Sequence, residues 1–220
     1  VYNITAAFVA RLCAGLPAVG FQDVLDAYRP IAGRMQSFSL PGGLDATCNL
    51  AKNPAGFNQM LEQVKADSCR LVALFLNDAE ADGRDVSWIW DVDFECLAQL
   101  DPVLVCVGGS RAAELAMRIK YAGVRGPVQV VDGAGQAAAA LARAACELCA
   151  DEDGQAADAG TGVPVGGVSD RTGTEVVPRV RAHFIANYTA CPTVVAQLEE
   201  VERTGSLPDE GHGLRACAPQ

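Results

Sequence analysis

Histidine is nearly absent, His183 and His212 being the only two in 220 residues. A Ser-His-Asp or Cys-His arrangement needs an imidazole to carry the proton, so catalysis of that kind has almost nothing to draw on inside this chain. Positive charge is also short: 17 Lys and Arg stand against 27 Asp and Glu, a formal net charge of -10. No global positive field exists to gather nucleic acid or an anionic bilayer, which disfavours a DNA-binding reading. No apolar run approaches the roughly 20 residues that a membrane-spanning helix needs; the Ala-rich stretch from Ala137 is broken by Arg143 and Glu147. A repeat of solenoid length is missing as well. The start at Val1 shows neither an initiator Met nor a secretory leader, and the first twelve residues already follow helical spacing, so the chain is expected to begin inside a longer protein.

What is present is material for a core: 50% of the residues are hydrophobic and only 20% charged, too apolar for a disordered chain and enough for one or two domains. Nine cysteines, at 13, 48, 69, 96, 106, 146, 149, 191 and 217, are scattered through apolar segments instead of clustering in loops. That distribution fits reduced thiols in a cytoplasmic protein better than a secreted disulfide framework. Cys146 and Cys149 make the only CxxC, inside a helical pattern and without the second pair of a four-ligand zinc site, so no metal site is expected.

The pattern along the chain predicts an α/β fold, a Rossmann-like, mostly parallel sheet flanked by helices, preceded by a short helical segment. Residues 1–32 read as two short helices, with Ile4, Ala7, Phe8 and Leu12 and then Phe21, Val24, Leu25 and Tyr28 at helical spacing, ended by Pro30. From about Gly33 apolar runs alternate with amphipathic segments, which marks a second domain of βαβ units over 33–201. Strands are expected at Ala46–Leu50, Leu71–Leu76, Val103–Val107, Val128–Val131 and Val180–Ile185. Helices are expected from Pro54, over Val86–Leu97, after Ser110, over 135–149 and from Pro192, with Glu114 and Arg118 as an outward i,i+4 pair. Residues 151–177, rich in Asp, Gly, Ala and Thr, read as a flexible insertion, and 202–220 as a loose tail.

Ligands of a parallel sheet collect beyond the carboxyl ends of its strands, which points to Lys52-Asn53, Asn77 to Asp85, Gly108 to Arg111 and Asn187 to Thr189. Two readings of Lys52 stand. It precedes a helix N-terminus that favours a phosphate or carboxylate, or it is a solvated charge beside Asn53-Pro54, a good helix cap. Gly108-Gly109-Ser110 lacks the spacing of a dinucleotide fingerprint or a P-loop, and small residues for a tight turn explain it better. The densest stretch, Asn77 to Glu95, holds seven acids and both tryptophans in 19 residues. Asp85 there either caps the following helix or serves a function. With no histidine nearby, a functional acid would have to serve another polypeptide, a metal or a bound substrate.

Several longer strings are recognisable together: Gly33-Arg34-Met35-Gln36, Leu50 through Asn58, Asp82 through Glu95, Gly109-Ser110-Arg111, Arg118-Ile119-Lys120 and Asn187-Tyr188-Thr189. In register over roughly residues 1–200 outside 151–177, they resemble the MurT family of lipid II isoglutaminyl synthase subunits, a branch of the Mur ligases. The resemblance implies that residues 1–32 end an ATP-binding middle domain and that the Rossmann-like domain closes over its site. It implies ATP with Mg as cofactors, lipid II as substrate, and a GatD-type glutamine amidotransferase as partner supplying ammonia. The product is the amidated α-carboxyl of D-glutamate in the stem peptide, made in the cytoplasm at the inner face of the membrane.

By the same resemblance, Asp85 matches an aspartate that completes a catalytic triad across the subunit interface by orienting the partner's histidine. Asn3 matches an asparagine at the adenine end of the middle domain, Arg34 an arginine that can reach ATP phosphate, and Lys52 and Asn53 a loop facing the substrate. The family's phosphate loop and four-cysteine zinc ribbon have no match in these 220 residues, and the 151–177 segment has no counterpart in the family. Two alternatives are carried forward: a non-catalytic docking module with Trp88 and Trp90 as anchors, and a stand-alone ligase of the folylpolyglutamate type.

Overall fold

Leu71–Phe75 and Leu104–Gly108 are buried at every position, as strands covered on both faces must be, and they form the middle of a seven-stranded sheet. The computed structural model describes residues 2–27, 33–156, 179–208 and 215–216, of which 2, 3, 149–156, 215 and 216 through the backbone alone. In chain order the elements are α1 (Tyr2–Cys13), α2 (Phe21–Ala27), β1 (Gln36–Leu40), β2 (Leu44–Leu50), α3 (Pro54–Ala66), β3 (Leu71–Phe75), α4 (Glu95–Leu100), β4 (Leu104–Gly108), α5 (Ala112–Tyr121), β5 (Val128–Val130), α6 (Ala134–Ala156), β6 (Val180–Ala186), α7 (Ala190–Thr204) and β7 (Arg215–Ala216).

The chain divides into two compact units, Val1–Ile31 and Ala32–Gln220. In the first, Phe8 and Phe21 pack tilted with ring centroids 5.1 Å apart, while Ile4, Val9, Leu12 and Val24 stay exposed, since two short helices cannot enclose a core. Asn3 lies in α1, with its side chain outside the described residues.

In the second unit the strand order is β1-β2-β6-β3-β4-β5-β7. The strands β2, β6, β3, β4 and β5 are mutually parallel, and an antiparallel pair closes each edge. Crossovers from β2 through β5 step in one direction across the sheet and the crossover from β5 to β6 steps back. The right-handed rule therefore assigns α3, α4 and α5 to one face and α6 to the other, where it packs against α7. The reversal inserts β6 between β2 and β3, so the carboxyl ends of β2, β6 and β3 open side by side.

The α/β expectation holds, and the structure alters its details. Gln36–Leu40 is a strand that the sequence reading lacks. It has only Phe38 and Leu40 to bury, and it pairs with a β2 that begins at Leu44, two residues before the expected start. Residues 86–97 are not one helix: a 3-10 turn at Ser87–Asp91 is broken at Val92, and α4 starts only at Glu95. Arg118 does not face solvent with Glu114; it is 4% exposed and pairs with Glu95, while Glu114 takes Arg111. The helix expected to stop at 149 continues to Ala156, into the segment read as insertion; residues 157–178 lie outside the described residues. Arg215–Ala216, within the expected tail, pairs with β5.

Mid-sheet, His183 of β6 is buried with Nε2 2.9 Å from the Asp67 carboxylate at the end of α3, and its Nδ1 makes no hydrogen bond. Burial pushes the imidazole below its ordinary value of 6.5, against the pull of Asp67 and with the help of Arg181. Burial also pulls the Asp67 carboxyl up, but hydrogen bonds from Gln63 and His183 outweigh it and hold the group below its ordinary 3.8. Both shifts act in one direction. Below pH 6.5 the unfolded chain takes up a proton at His183 that the fold resists, and below 3.8 it takes up one at Asp67, so stability falls with pH in both windows. Urea titrations at a series of pH values are expected to show the midpoint falling from neutrality to about pH 5, a fall that His183→Gln flattens.

Candidate functional site

All four loops singled out in the sequence meet at the carboxyl edge of the sheet. The first begins where β2 ends. There Asn53 accepts the Gly56 amide (2.8 Å) as N-cap of α3, with Pro54 in the first turn, so the capping reading of Asn53 holds. Lys52 remains exposed and lines a cleft of about 340 Å³ with Ala81, Asp82, Asn187 and Tyr188. Because β1 runs antiparallel to β2, Gly33–Met35 lie at this same edge: the Leu50 amide donates to the Gly33 carbonyl (2.6 Å) and the Met35 amide to Asn49 Oδ1 (2.8 Å). Arg34 is exposed there.

The second and fourth loops are joined by a pair of asparagines that sequence reasoning missed. Asn187, buried just past β6, accepts the Asn77 backbone amide at 3.0 Å and donates to the Asn77 carbonyl at 2.8 Å. The Asn77 side chain donates to Thr189 Oγ1 (3.2 Å) and accepts the Ser110 amide (3.0 Å), tying in the third loop. Asn77 closely follows the wholly apolar β3, and Asn187 follows the apolar Phe184-Ile185-Ala186 that ends β6, which is a signal. That β3 and β6 are neighbours is not readable locally.

Gly109 explains why the third loop is not a phosphate cradle. Its φ is +94°, and its backbone packs against the Leu76 carbonyl. The Ser110 and Arg111 amides, which would face a phosphate, are already given to Asn77 Oδ1 and the Leu76 carbonyl. Beside it the Ser110 hydroxyl donates to Asp78 (2.6 Å) and Arg111 bridges Asp78 and Glu114. The Ser110 hydroxyl foremost, and then the Arg111 guanidinium, hold the Asp78 carboxyl below its ordinary value.

The acidic stretch runs from this edge. Asp82 accepts both the backbone amide (3.0 Å) and the hydroxyl of Thr189. After Gly83 and Arg84, both at positive φ, Asp85 is exposed and accepts the Ser87 amide at 2.8 Å through Oδ1. That bond, with help from the Ser87 hydroxyl, holds its carboxyl below the usual value, so Asp85 is ionised at neutral pH. A local bond and availability coexist in one residue: Oδ1 takes the first amide of the 3-10 turn, whose N-cap is Val86, and the side chain remains exposed.

Downstream, Arg118 reaches from α5 into the turn and donates to the carbonyls of Ile89 (3.3 Å) and Val92 (2.7 Å) and to Glu95 (2.9 Å). Its guanidinium lies 5.5 Å from the ring centroids of both Trp90 and Phe94. Trp88 packs half-buried on Phe57, so it is no surface anchor; Trp90 is 52% exposed and meets Tyr121 edge to face. Cys146 is exposed on α6 and the Cys149 side chain lies outside the described residues. Among the described residues, no three His, Cys, Asp or Glu side chains converge on a position for a metal ion. A groove of about 930 Å³ between the start of α6 and α7 contains none of the candidate residues.

This α/β fold, with polar loops gathered at a topological switch point, is shared with a Mur ligase of known structure. Superposition on UDP-N-acetylmuramate-alanine ligase MurC from Thermotoga maritima gives a TM-score of 0.51 at 9% identity, over 93% of this chain and 37% of that one. Residues 50–151 match the family described as MurT ligase C-terminal. The MurT subunit of lipid II isoglutaminyl synthase (glutamine-hydrolysing) from Staphylococcus aureus strain COL is 40% identical over 132 residues, 59% of this chain and 30% of that protein. Its namesake from Streptococcus pneumoniae strain R6 is 35% identical over 124 residues, 56% of this chain and 28% of that protein. The chain thus spans under a third of the length of these relatives.

A methyl group at position 109 would sit 2.8 Å from Asn77 Oδ1 and closer still to the Leu76 carbonyl, on a backbone unsuited to L side chains. Gly109→Ala is expected to destabilise the domain by about 1–3 kcal/mol or more, read as a lowered Tm in calorimetry.

Proposed function

We propose that this chain works as part of a MurT-type subunit. That subunit amidates the α-carboxyl of D-glutamate in the lipid II stem peptide with ammonia released from glutamine by a GatD-type partner. Asp85 is the orienting acid that the partner's glutaminase site borrows. One observation carries the reading: Asp85 is an ionised, exposed carboxylate oriented by its neighbour Ser87. Among the described residues the one histidine, His183, is buried against Asp67 and cannot be its partner. An acid in that state suits an imidazole from outside, whose tautomer it would fix and whose imidazolium it would stabilise.

The cleft of Lys52, Asp82, Asn187 and Tyr188 opens on the same edge and is the place for a charged part of the amidated substrate, with Lys52 as the cation facing a carboxylate. The described residues do not fit ATP by themselves. The Ser110 and Arg111 amides after the glycine turn are already given to protein acceptors, and Arg34 is exposed. No step is therefore derived through the nucleotide, which the reading places with Mg outside these loops. No helix among the described residues is long and apolar enough to cross a membrane. Work at the inner face of the membrane, on the lipid-linked substrate, is part of the proposal.

A docking role without chemistry is favoured by a different observation. Trp90, Met117 and Tyr121 are 52%, 54% and 72% exposed, and the Trp90 and Tyr121 rings touch. Such aromatics anchor interfaces. The two readings separate in the assembled complex. Asp85→Asn is expected to lower glutaminase kcat by up to about 10⁴-fold without changing assembly. A loss under about threefold removes the triad role; if Trp90→Ala then weakens assembly alone, docking is what remains.

A further inference from the structure

Between Asp82 and Val92 the side chains of Ile89 and Val92 enter the core and Trp88 packs on Phe57, while Asp85 stays exposed on the loop. Upstream, the Asp82 carboxylate is clamped on the Thr189 amide and hydroxyl, which fastens the loop to the start of α7. Downstream, the buried Arg118 guanidinium takes the Ile89 and Val92 carbonyls and Glu95 at once, closed over by Trp90 and Phe94. The intervening link is continuous. Ile89 and its neighbours form the 3-10 turn at Ser87–Asp91, and the first amide of that turn, from Ser87, is the one that holds Asp85 Oδ1.

A buried guanidinium is costly to desolvate and is tolerated when its donors are used. Here they are used on the backbone of a loop that has only Ile89 fully buried among its turn residues. Stability of the sheet does not need this: β3, β4 and β5 are joined by their own ladders. What the contact does is remove the loop's freedom. Arg suits the task because its planar fork spans several acceptors, which a Lys ammonium cannot do in one fixed geometry.

We propose that Arg118, together with the Asp82–Thr189 clamp, forms a pair of positioning anchors that hold Asp85 at the angle and height a foreign imidazole requires. This inference rests on the reading of Asp85 as the orienting acid. Neither anchor touches the reacting atoms. Both act through the loop.

The test is a double-mutant cycle in the full-length complex with its glutaminase partner. Arg118→Lys and Arg118→Met are compared in the native and Asp85→Asn backgrounds, with kcat and KM for glutamine and the Kd of assembly measured for each. Arg118→Lys keeps the charge and loses the fork, and it is expected to lower kcat about 10²-fold with KM for glutamine unchanged, the cost of a misplaced group. In the Asp85→Asn background the same change should do nothing further, because its effect passes through the carboxylate. Equal losses in both backgrounds, or native kcat in Arg118→Met, overturn the proposal. If the Arg118 variants do not fold, Thr189→Val, which removes one half of the other anchor, is read in the same cycle with the same two outcomes. Failure of the underlying reading looks different: there Asp85→Asn itself leaves turnover intact.

Discussion

Once β3 and β6 leave the sheet, their next peptide groups lose ladder partners while the helices still enclose them, and Asn187 meets that demand by giving Asn77 both an acceptor and a donor. A buried backbone group left unpaired there would cost about 1–3 kcal/mol, so the amide of Asn187 is a structural requirement of the strand ends. Its consequence is positional. Asn77 becomes a fixed point to which Ser110 and Thr189 also attach, and three loops from strands far apart in sequence leave the sheet from one place. The cleft at Lys52 and the acidic loop both inherit their location from that junction.

The seven acids between Asn77 and Glu95 look alike in composition but not in the fold. Asp78 is taken by Ser110 and Arg111, Asp82 by Thr189, and Glu95 by Arg118. Asp85 is exposed and ionised and is oriented by Ser87 alone among the bonds described for it. Proximity of charge does not make a functional acid. A group that must stabilise a cation arriving from outside has to be pre-oriented and still wet, and Asp85 meets both conditions.

Much of the architecture was legible because hydrophobic periodicity reports burial directly. The unbroken apolar runs at Leu71–Leu76 and Val103–Val107 read as covered parallel strands, which the fold places at Leu71–Phe75 and Leu104–Gly108, and Asn53-Pro54 announced the start of α3. The edge strand Gln36–Leu40 escaped because two buried side chains make a weak alternation. The segment 86–97 misled because Val86, Ile89 and Trp90 imitate helical spacing, whereas Arg118 draws the Ile89 and Val92 carbonyls toward itself and the turn breaks before α4. Of the site, the four loops and Lys52 were visible from strand ends and charge, while Asp85 was singled out by the resemblance to the MurT family. Asn187 as a clasp, Arg118 as an anchor and the half-burial of Trp88 were not.

The sequence by itself determined the class of fold, the faces its helices bury, the edge of the sheet where its polar loops gather and the resemblance to the MurT family, since each depends on local pattern or on strings of residues. Which strands are neighbours, which of many acids is left available, and where a lone arginine in α5 sends its guanidinium were decided only by the tertiary structure. Those are pairings across more than twenty residues of chain, set by the strand order β2-β6-β3 and by the need of every enclosed polar group to find a partner.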